Sequence, residues 1–138
     1  MRARVVLRRA AARTVCALLV LGLAPVSWAC GVCDEDSVAA TYDHAIVQRA
    51  VMASDLVVYC RLEGPVERQK VLTAVRRVPG VRKDSIRVSA APAALSFAVD
   101  PAVQTALTAV AATERGLGSS GHLRILKVVP PAPGRRVP

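Results

Sequence analysis

Between Asp55 and Val129 the apolar residues fall by turns on a period of two and on a helical period, and this order of elements limits the fold more than any other feature of the chain. Asp55 to Leu62 sets Leu56, Val58, Cys60 and Leu62 on one side and Val57, Tyr59 and Arg61 on the other, which predicts a strand stopped by Gly64-Pro65. Pro65 suits a first helical position, and Val66, Leu72, Val75 and Val78 form a stripe ending at Pro79-Gly80, so a helix follows. Ser85 to Ser89, with Ile86 and Val88 on one face, and the alternating run Leu95, Phe97, Val99 predict two strands joined as a hairpin through Ala90-Ala91-Pro92-Ala93. Asp100 as cap and Pro101 in the first turn open another helix, with Val103, Leu107, Val110 and Ala111 as its buried side. The glycine-rich stretch Gly116 to Gly121 ends it, and His122 to Val129 is a last strand.

Strand, helix, strand, strand, helix, strand is the order of a ferredoxin-like α+β sandwich, one antiparallel sheet with two helices on a face. An additional N-terminal helix is expected from Ser37 to Met52, where Val38, Tyr42, Ile46 and Ala50 recur at helical spacing behind Asp34, Glu35 and Asp36. The sheet face opposite the two helices would carry Val57, Tyr59, Leu126 and Val128. Either the N-terminal helix covers it or a homodimer forms through it.

The chain begins with Arg2, Arg4, Arg8, Arg9 and Arg13, then an apolar run from Val15 to Ala24, then Ser27-Trp28-Ala29 before Cys30. A basic start, a short apolar core and small residues flanking a cleavage point predict a cleavable signal peptide over residues 1–29, and hence an exported, periplasmic or secreted protein. The run falls short of the roughly 20 residues needed to span a bilayer, so no integral membrane segment is expected after cleavage. Arg8-Arg9 is followed by alanines rather than the apolar pair of a twin-arginine signal, and Trp28 stands where a lipoprotein signal wants a small residue.

Removing the five leader arginines leaves 14 basic against ten acidic residues, so a formal charge of +9 falls to +4. With only Tyr42, Tyr59 and Phe97 as stacking aromatics after the leader, nucleic-acid binding is excluded from the expectations. The domain plan is a leader over 1–29, a thiol-bearing segment and helix over 30–54, the sandwich over 55–129 and a basic Pro-rich tail over 130–138.

Leu72-Thr-Ala-Val-Arg-Arg-Val-Pro-Gly-Val81 resembles the end of the first helix of heavy-metal-associated domains, the small copper and zinc carriers. Ala94-Leu-Ser-Phe-Ala-Val-Asp-Pro101 is similar to that family's third strand and its entry into the second helix. The resemblance covers Asp55 to Val129 and implies the ferredoxin-like fold and a metal-handling role. Counted back from Pro79, the family's two metal-binding cysteines fall on Gly64 and Glu67 and its buried methionine on Leu62. A soft cation such as Cu(I) needs thiolate or thioether sulfur, which these positions lack.

Thiols occur instead at Cys30 and Cys33. A C-x-x-C pair can grip one metal ion or close a reversible disulfide, and cleavage after Ala29 would add the free amine of Cys30, with Asp34 and Asp36 as nearby oxygen donors. Copper or zinc is the expected ion. His44 is a weaker candidate ligand, because a continuous helix from Cys33 would separate the two by about 16 Å at roughly 1.5 Å per residue. Cys60 reads chiefly as a small core residue and secondarily as a ligand, being late on the first strand. The alternatives are a non-enzymatic protein-interaction domain with a decayed metal site, and a thiol-disulfide redox protein. For the latter the pair should follow a buried strand, which it does not. Gly116-Leu-Gly-Ser-Ser-Gly121 has dinucleotide-motif spacing but follows a helix, the reverse of what phosphate binding needs. Arg76, Arg77, Arg82 and Lys83 cluster about the Pro79-Gly80 turn and could dock an acidic partner. No arrangement for hydrolytic catalysis appears, and no enzymatic activity is expected.

Overall fold

The computed structural model describes residues 33–131. The leader expected over residues 1–29, the first thiol of the C-x-x-C pair and residues 132–138 of the tail lie outside the described residues. The described elements are α1 (Asp34–Thr41), α2 (His44–Met52), β1 (Leu56–Glu63), α3 (Arg68–Arg76), β2 (Arg87–Ala90), β3 (Ala93–Val99), α4 (Ala106–Leu117) and β4 (His122–Val129). The strands form one antiparallel sheet in the order β2-β3-β1-β4. Among the described residues no helix is long and apolar enough to cross a membrane.

The alternation of β1 divides the interior in two. Val58, Cys60 and Leu62 face Leu95, Phe97 and Val99 of β3 and the buried stripes of α3 (Val71, Ala74, Val75) and α4 (Ala109, Val110, Leu117). Val57 and Tyr59 point the other way and pack with Ala98, with Ala50 of α2 and with Val38 of α1. The register explains the match, since Val58 lies opposite Phe97 and Cys60 opposite Leu95, while Val57 lies opposite Ala98 and Tyr59 opposite Ser96. Residues directly opposite in an antiparallel pair share a face. The small Ala94, Ser96 and Ala98 of β3 leave room for the N-terminal helices to lie close, and Ser96 Oγ donates to the Thr41 carbonyl at 2.9 Å. The sheet face considered for a homodimer is thus covered from within the chain.

The N-terminal helical segment differs from the single helix expected from Ser37 to Met52. It breaks at Tyr42 and Asp43, both extended, and Tyr42 is exposed rather than part of a buried stripe. Asp43 is the reason: its carboxylate accepts from the Ile46 N–H at 3.2 Å and pairs with Arg87 of β2 at 3.1 Å, so the residue starts a new helix instead of continuing the old one. The Ile46 bond first, and Arg87 with it, hold the Asp43 carboxyl below the usual carboxylate range.

Other boundaries shift for similar reasons. The helix after β1 starts at Arg68, because Gly64 has φ +100° and the Val66 N–H turns back to the Gly64 carbonyl. Asp100 does not cap α4; its carboxylate accepts from Ala102 N–H, while Thr105 caps the helix by accepting from Thr108 N–H at 3.2 Å. The later start rotates the helix, leaving Val103, Leu107 and Ala111 exposed and burying Ala109, Val110, Thr113 and Leu117. In β4, pairing shifts between Tyr59 and Cys60, whose partners are Lys127 and Ile125. Leu126 is the extra residue of a bulge, and the alternation inverts beyond it. Val128 therefore pairs with Val58 on the α3/α4 side, and Val129 takes the place beside Val57 expected of Val128.

An ion pair ties the sheet to its connections. Asp55, 2% exposed, receives Arg82 Nε at 2.8 Å and Nη2 at 3.0 Å, and the same guanidinium reaches Asp100 at 3.4 Å. These carboxylates hold the Arg82 guanidinium even more firmly protonated than usual. Arg82→Ala leaves the Asp55 carboxylate buried and unpaired. It should lower stability by about 1–3 kcal/mol, less than for a fully enclosed pair because Arg82 is half exposed to water. Urea unfolding with an unchanged m-value measures this.

Gly64 occupies a second sensitive position. Its φ is in the left-handed region, and a Cβ there would lie 2.7 Å from the Ser120 carbonyl oxygen. Gly64→Ala should cost about 1–3 kcal/mol, read as a lower midpoint in the same titration.

Candidate functional site

Cys33 is exposed and precedes α1, where its carbonyl accepts from the Asp36 N–H at 3.1 Å and the Ser37 N–H at 3.3 Å. Its side chain makes no capping bond and leaves the thiol open to solvent. The next residue anchors this point to the sheet. Asp34 accepts from Arg124 of β4 at 2.8 Å and from Arg61 of β1 at 2.9 Å, two arginines opposite one another in the β1–β4 ladder. Arg61 also donates to Ser37 Oγ at 3.4 Å, and Arg124 lies 3.6 Å from Glu63. One carboxylate between two guanidiniums is the inverse of two like charges left facing each other across a ladder. It fixes the start of α1 over the β1–β4 pair.

Committed to two arginines, Asp34 is a poor oxygen donor for an ion, contrary to its expected role beside the thiols. Glu35 and Asp36 are exposed and make no ion pair among the described residues. Beside this start, a groove of about 520 Å³ runs between α1 and β4, lined by Asp34, Val38, Tyr42, Leu126 and Lys127.

The other sulfur and imidazole candidates lie elsewhere. Cys60 is 1% exposed and faces the α3/α4 core, the side of the sheet opposite to α1. Burial, with a contribution from the Glu114 carboxylate, pushes its thiol up to about 12, so it stays protonated and is neither a nucleophile nor a ready ligand at neutral pH. The sheet stands between it and Cys33. His44 begins α2, beyond the far end of α1, and its Nδ1 lies 3.3 Å from the Tyr42 hydroxyl. Eight residues of α1 put about 12 Å between the two ends. Among the described residues no group of three or more His, Cys, Asp or Glu side chains is placed to hold a metal ion.

At the loop where the resemblance would put the family's ion, a cavity of about 340 Å³ is lined by Leu62, Gly64, Val66, Glu67, Val88 and Ala93, without sulfur. A smaller cavity of about 160 Å³ lies between α2 and the Arg82–Ser85 turn, with Arg49, Arg82, Asp55 and Asp84 on its wall. Its charges are matched, Arg49 with Asp84 at 3.0 Å and Arg82 with Asp55. Every buried side-chain nitrogen or oxygen among the described residues has a hydrogen-bond partner, so no orphaned polar group points to a missing ligand there.

Sequence reasoning did not find the Asp34–Arg61–Arg124 clamp. The two arginines are distant in sequence, and the only local signal was a charged residue at mid-strand in both β1 and β4. The chain matches no family model, no curated protein and no solved structure.

The placement of Cys60 yields a direct chemical expectation. In native protein at pH 8, Cys60 should resist iodoacetamide while Cys33, when reduced, is alkylated within minutes. Peptide mass mapping distinguishes the two, and Cys60 should react only with unfolding. Because the folded thiol titrates above its ordinary value of about 9, its contribution to stability is complete below that value and is lost as pH rises from 9 towards 12.

Proposed function

We propose that this protein is an exported carrier or handler of a soft metal ion, copper or zinc, built on a ferredoxin-like scaffold of the heavy-metal-associated type, with Cys30 and Cys33 as the gripping thiols. The observation that carries the reading is the contrast between two sulfurs. Cys33 is exposed and anchored through its neighbour to the β1–β4 pair, whereas Cys60 is sealed in the core with a raised pKa. The sheet order β2-β3-β1-β4, with a helix after β1 and another after β3, supports the ferredoxin-like scaffold.

The ion is cargo in this reading, and the protein catalyses no reaction. Two thiolates suffice for Cu(I), which accepts two or three sulfur donors. Zn(II) demands four ligands, and the candidates to complete its shell are the amine of a newly cleaved Cys30 and the Asp36 carboxylate, since Asp34 is engaged by arginines. Export places the pair outside the cytosol, where a retained ion also protects the thiols from oxidation.

Anaerobic titration of the processed protein with Cu(I) and Zn(II), against a competing chelator, tests the proposal. One equivalent should bind, and Cys30→Ser with Cys33→Ser should weaken binding by at least about a hundredfold. His44→Ala and Cys60→Ala should leave the affinity unchanged. Equal affinity in the doubly substituted protein ends the metal reading. In its place would stand a non-enzymatic interaction domain whose ancestral site has decayed, a view favoured by the sulfur-free loop at Gly64 to Glu67.

A further inference from the structure

Ion-paired and unpaired cations divide largely by layer among the described residues, Lys127 beside α1 being an exception. On the side of α1 and α2, Arg49, Arg61, Arg87 and Arg124 are each matched to a carboxylate, those of Asp84, Asp34, Asp43 and again Asp34. On the side of α3 and α4, Arg68, Lys70, Arg76, Arg77 and Arg115 are exposed and form no ion pair among the described residues. Their few acidic neighbours are Glu67, at the start of α3, and Glu114, which is half-buried and accepts from the Leu123 N–H at 2.7 Å. A shallow groove of about 350 Å³ between the helices is lined by Glu67, Gln69, Lys70, Thr73, Arg77 and Gly116.

Exposed apolar side chains adjoin the same layer. Leu107 is 73% exposed on the outer side of α4, and Val103, 55% exposed, stands one turn earlier. Val103 packs over Gly80, directly after the Arg76-Arg77 end of α3, and Gln104 Nε2 donates to the Pro79 carbonyl, tying the entry of α4 to the exit of α3. Val103 thus adjoins the basic end of α3, and Leu107 is exposed on the first turn of α4 that follows it. The cations run the length of α3, about 13 Å for nine residues.

From this juxtaposition we infer that the α3/α4 layer docks on an anionic phospholipid surface, with Arg76, Arg77 and their neighbours among the headgroups and Leu107 and Val103 entering the interface. The basic face supplies charge complementarity, which concentrates the protein at a negative leaflet and orients it. A membrane fits better than an acidic protein because Leu107 and Val103 are exposed and line none of the cavities described above, and a yielding interface can receive such groups without a matching pocket. Docked this way, the protein would turn α1 and the Cys33 end away from the lipid. The inference stands independently of the metal reading, since its residues and its assay involve no thiol.

The processed chain from Cys30 onward is the one to test, because the arginines and apolar run of residues 2–24 would bind lipid by themselves. It should co-sediment with vesicles containing phosphatidylcholine and phosphatidylglycerol and leave pure phosphatidylcholine vesicles free, with binding lost as salt is raised. Arg76→Gln with Arg77→Gln should weaken the partition coefficient by roughly tenfold to a hundredfold, and Leu107→Asp should weaken it severalfold. Lys127→Gln, on β4, should have little effect. All four altered positions are exposed, and circular dichroism verifies that each variant keeps its fold. Equal partitioning of the wild-type chain and the double-arginine variant would overturn the inference. So would indifference to vesicles combined with salt-sensitive binding to polyglutamate, which would assign the face to an acidic protein.

Discussion

Everything in this fold depends on β1 being buried from both sides. A strand covered on one face needs apolar residues at alternate positions only, whereas Val57, Val58, Tyr59 and Cys60 run consecutively and are all at most 2% exposed. Two layers must therefore meet it, and the chain supplies them by different means. The α3/α4 layer packs through conventional aliphatic stripes, and the α1/α2 layer lies close because β3 presents alanine and serine on that side. Tyr59 fills what space remains, its phenol pushed above the usual range by burial foremost, with Tyr42 and Asp43 adding to the effect.

The two layers are secured differently as well. Aliphatic contacts hold the first. The second relies more on polar tethers, among them Asp34 between Arg61 and Arg124, Asp43 with Arg87, and the Ser96 hydroxyl on the Thr41 carbonyl. Loss of any one tether should loosen the N-terminal helices only locally, because the other tethers and the packing of Val38 and Ala50 on Val57 and Tyr59 still hold them. Cys33 thus sits at the start of the layer that relies more on polar tethers.

What the sequence made legible follows from the range of the interactions involved. The order of strands and helices from Leu56 onward, the hairpin and the burial of Cys60 were readable because period, turn residues and aliphatic composition are local signals. The break at Tyr42-Asp43 was not, because it depends on Arg87, far along the chain and recruited only when β2 reaches the sheet edge. The rotation of α4 was missed for a related reason. Asp100-Pro101 is an inviting helix start, but Thr105 captures the cap, and the faces assigned to Val103 and Leu107 turned outward with it. In β4 one bulged residue, Leu126, inverted every inward and outward assignment beyond it. Of the candidate site, the burial of Cys60 was anticipated, whereas the engagement of Asp34 became visible only from two strands aligned side by side.

The opposed placements of Cys33 and Cys60 also bear on how such a chain would fare under oxidising conditions. More than one thiol in a chain invites a wrong crosslink, and the usual remedy is repeated reshuffling by an isomerase. Here a hydrogen-bonded barrier stands between the two partners of the most damaging error, so that mistake is open only to a chain whose strands have yet to pair. Pairing of the strands then does the proofreading, and among the described residues the folded sheet leaves no direct path from Cys33 to Cys60.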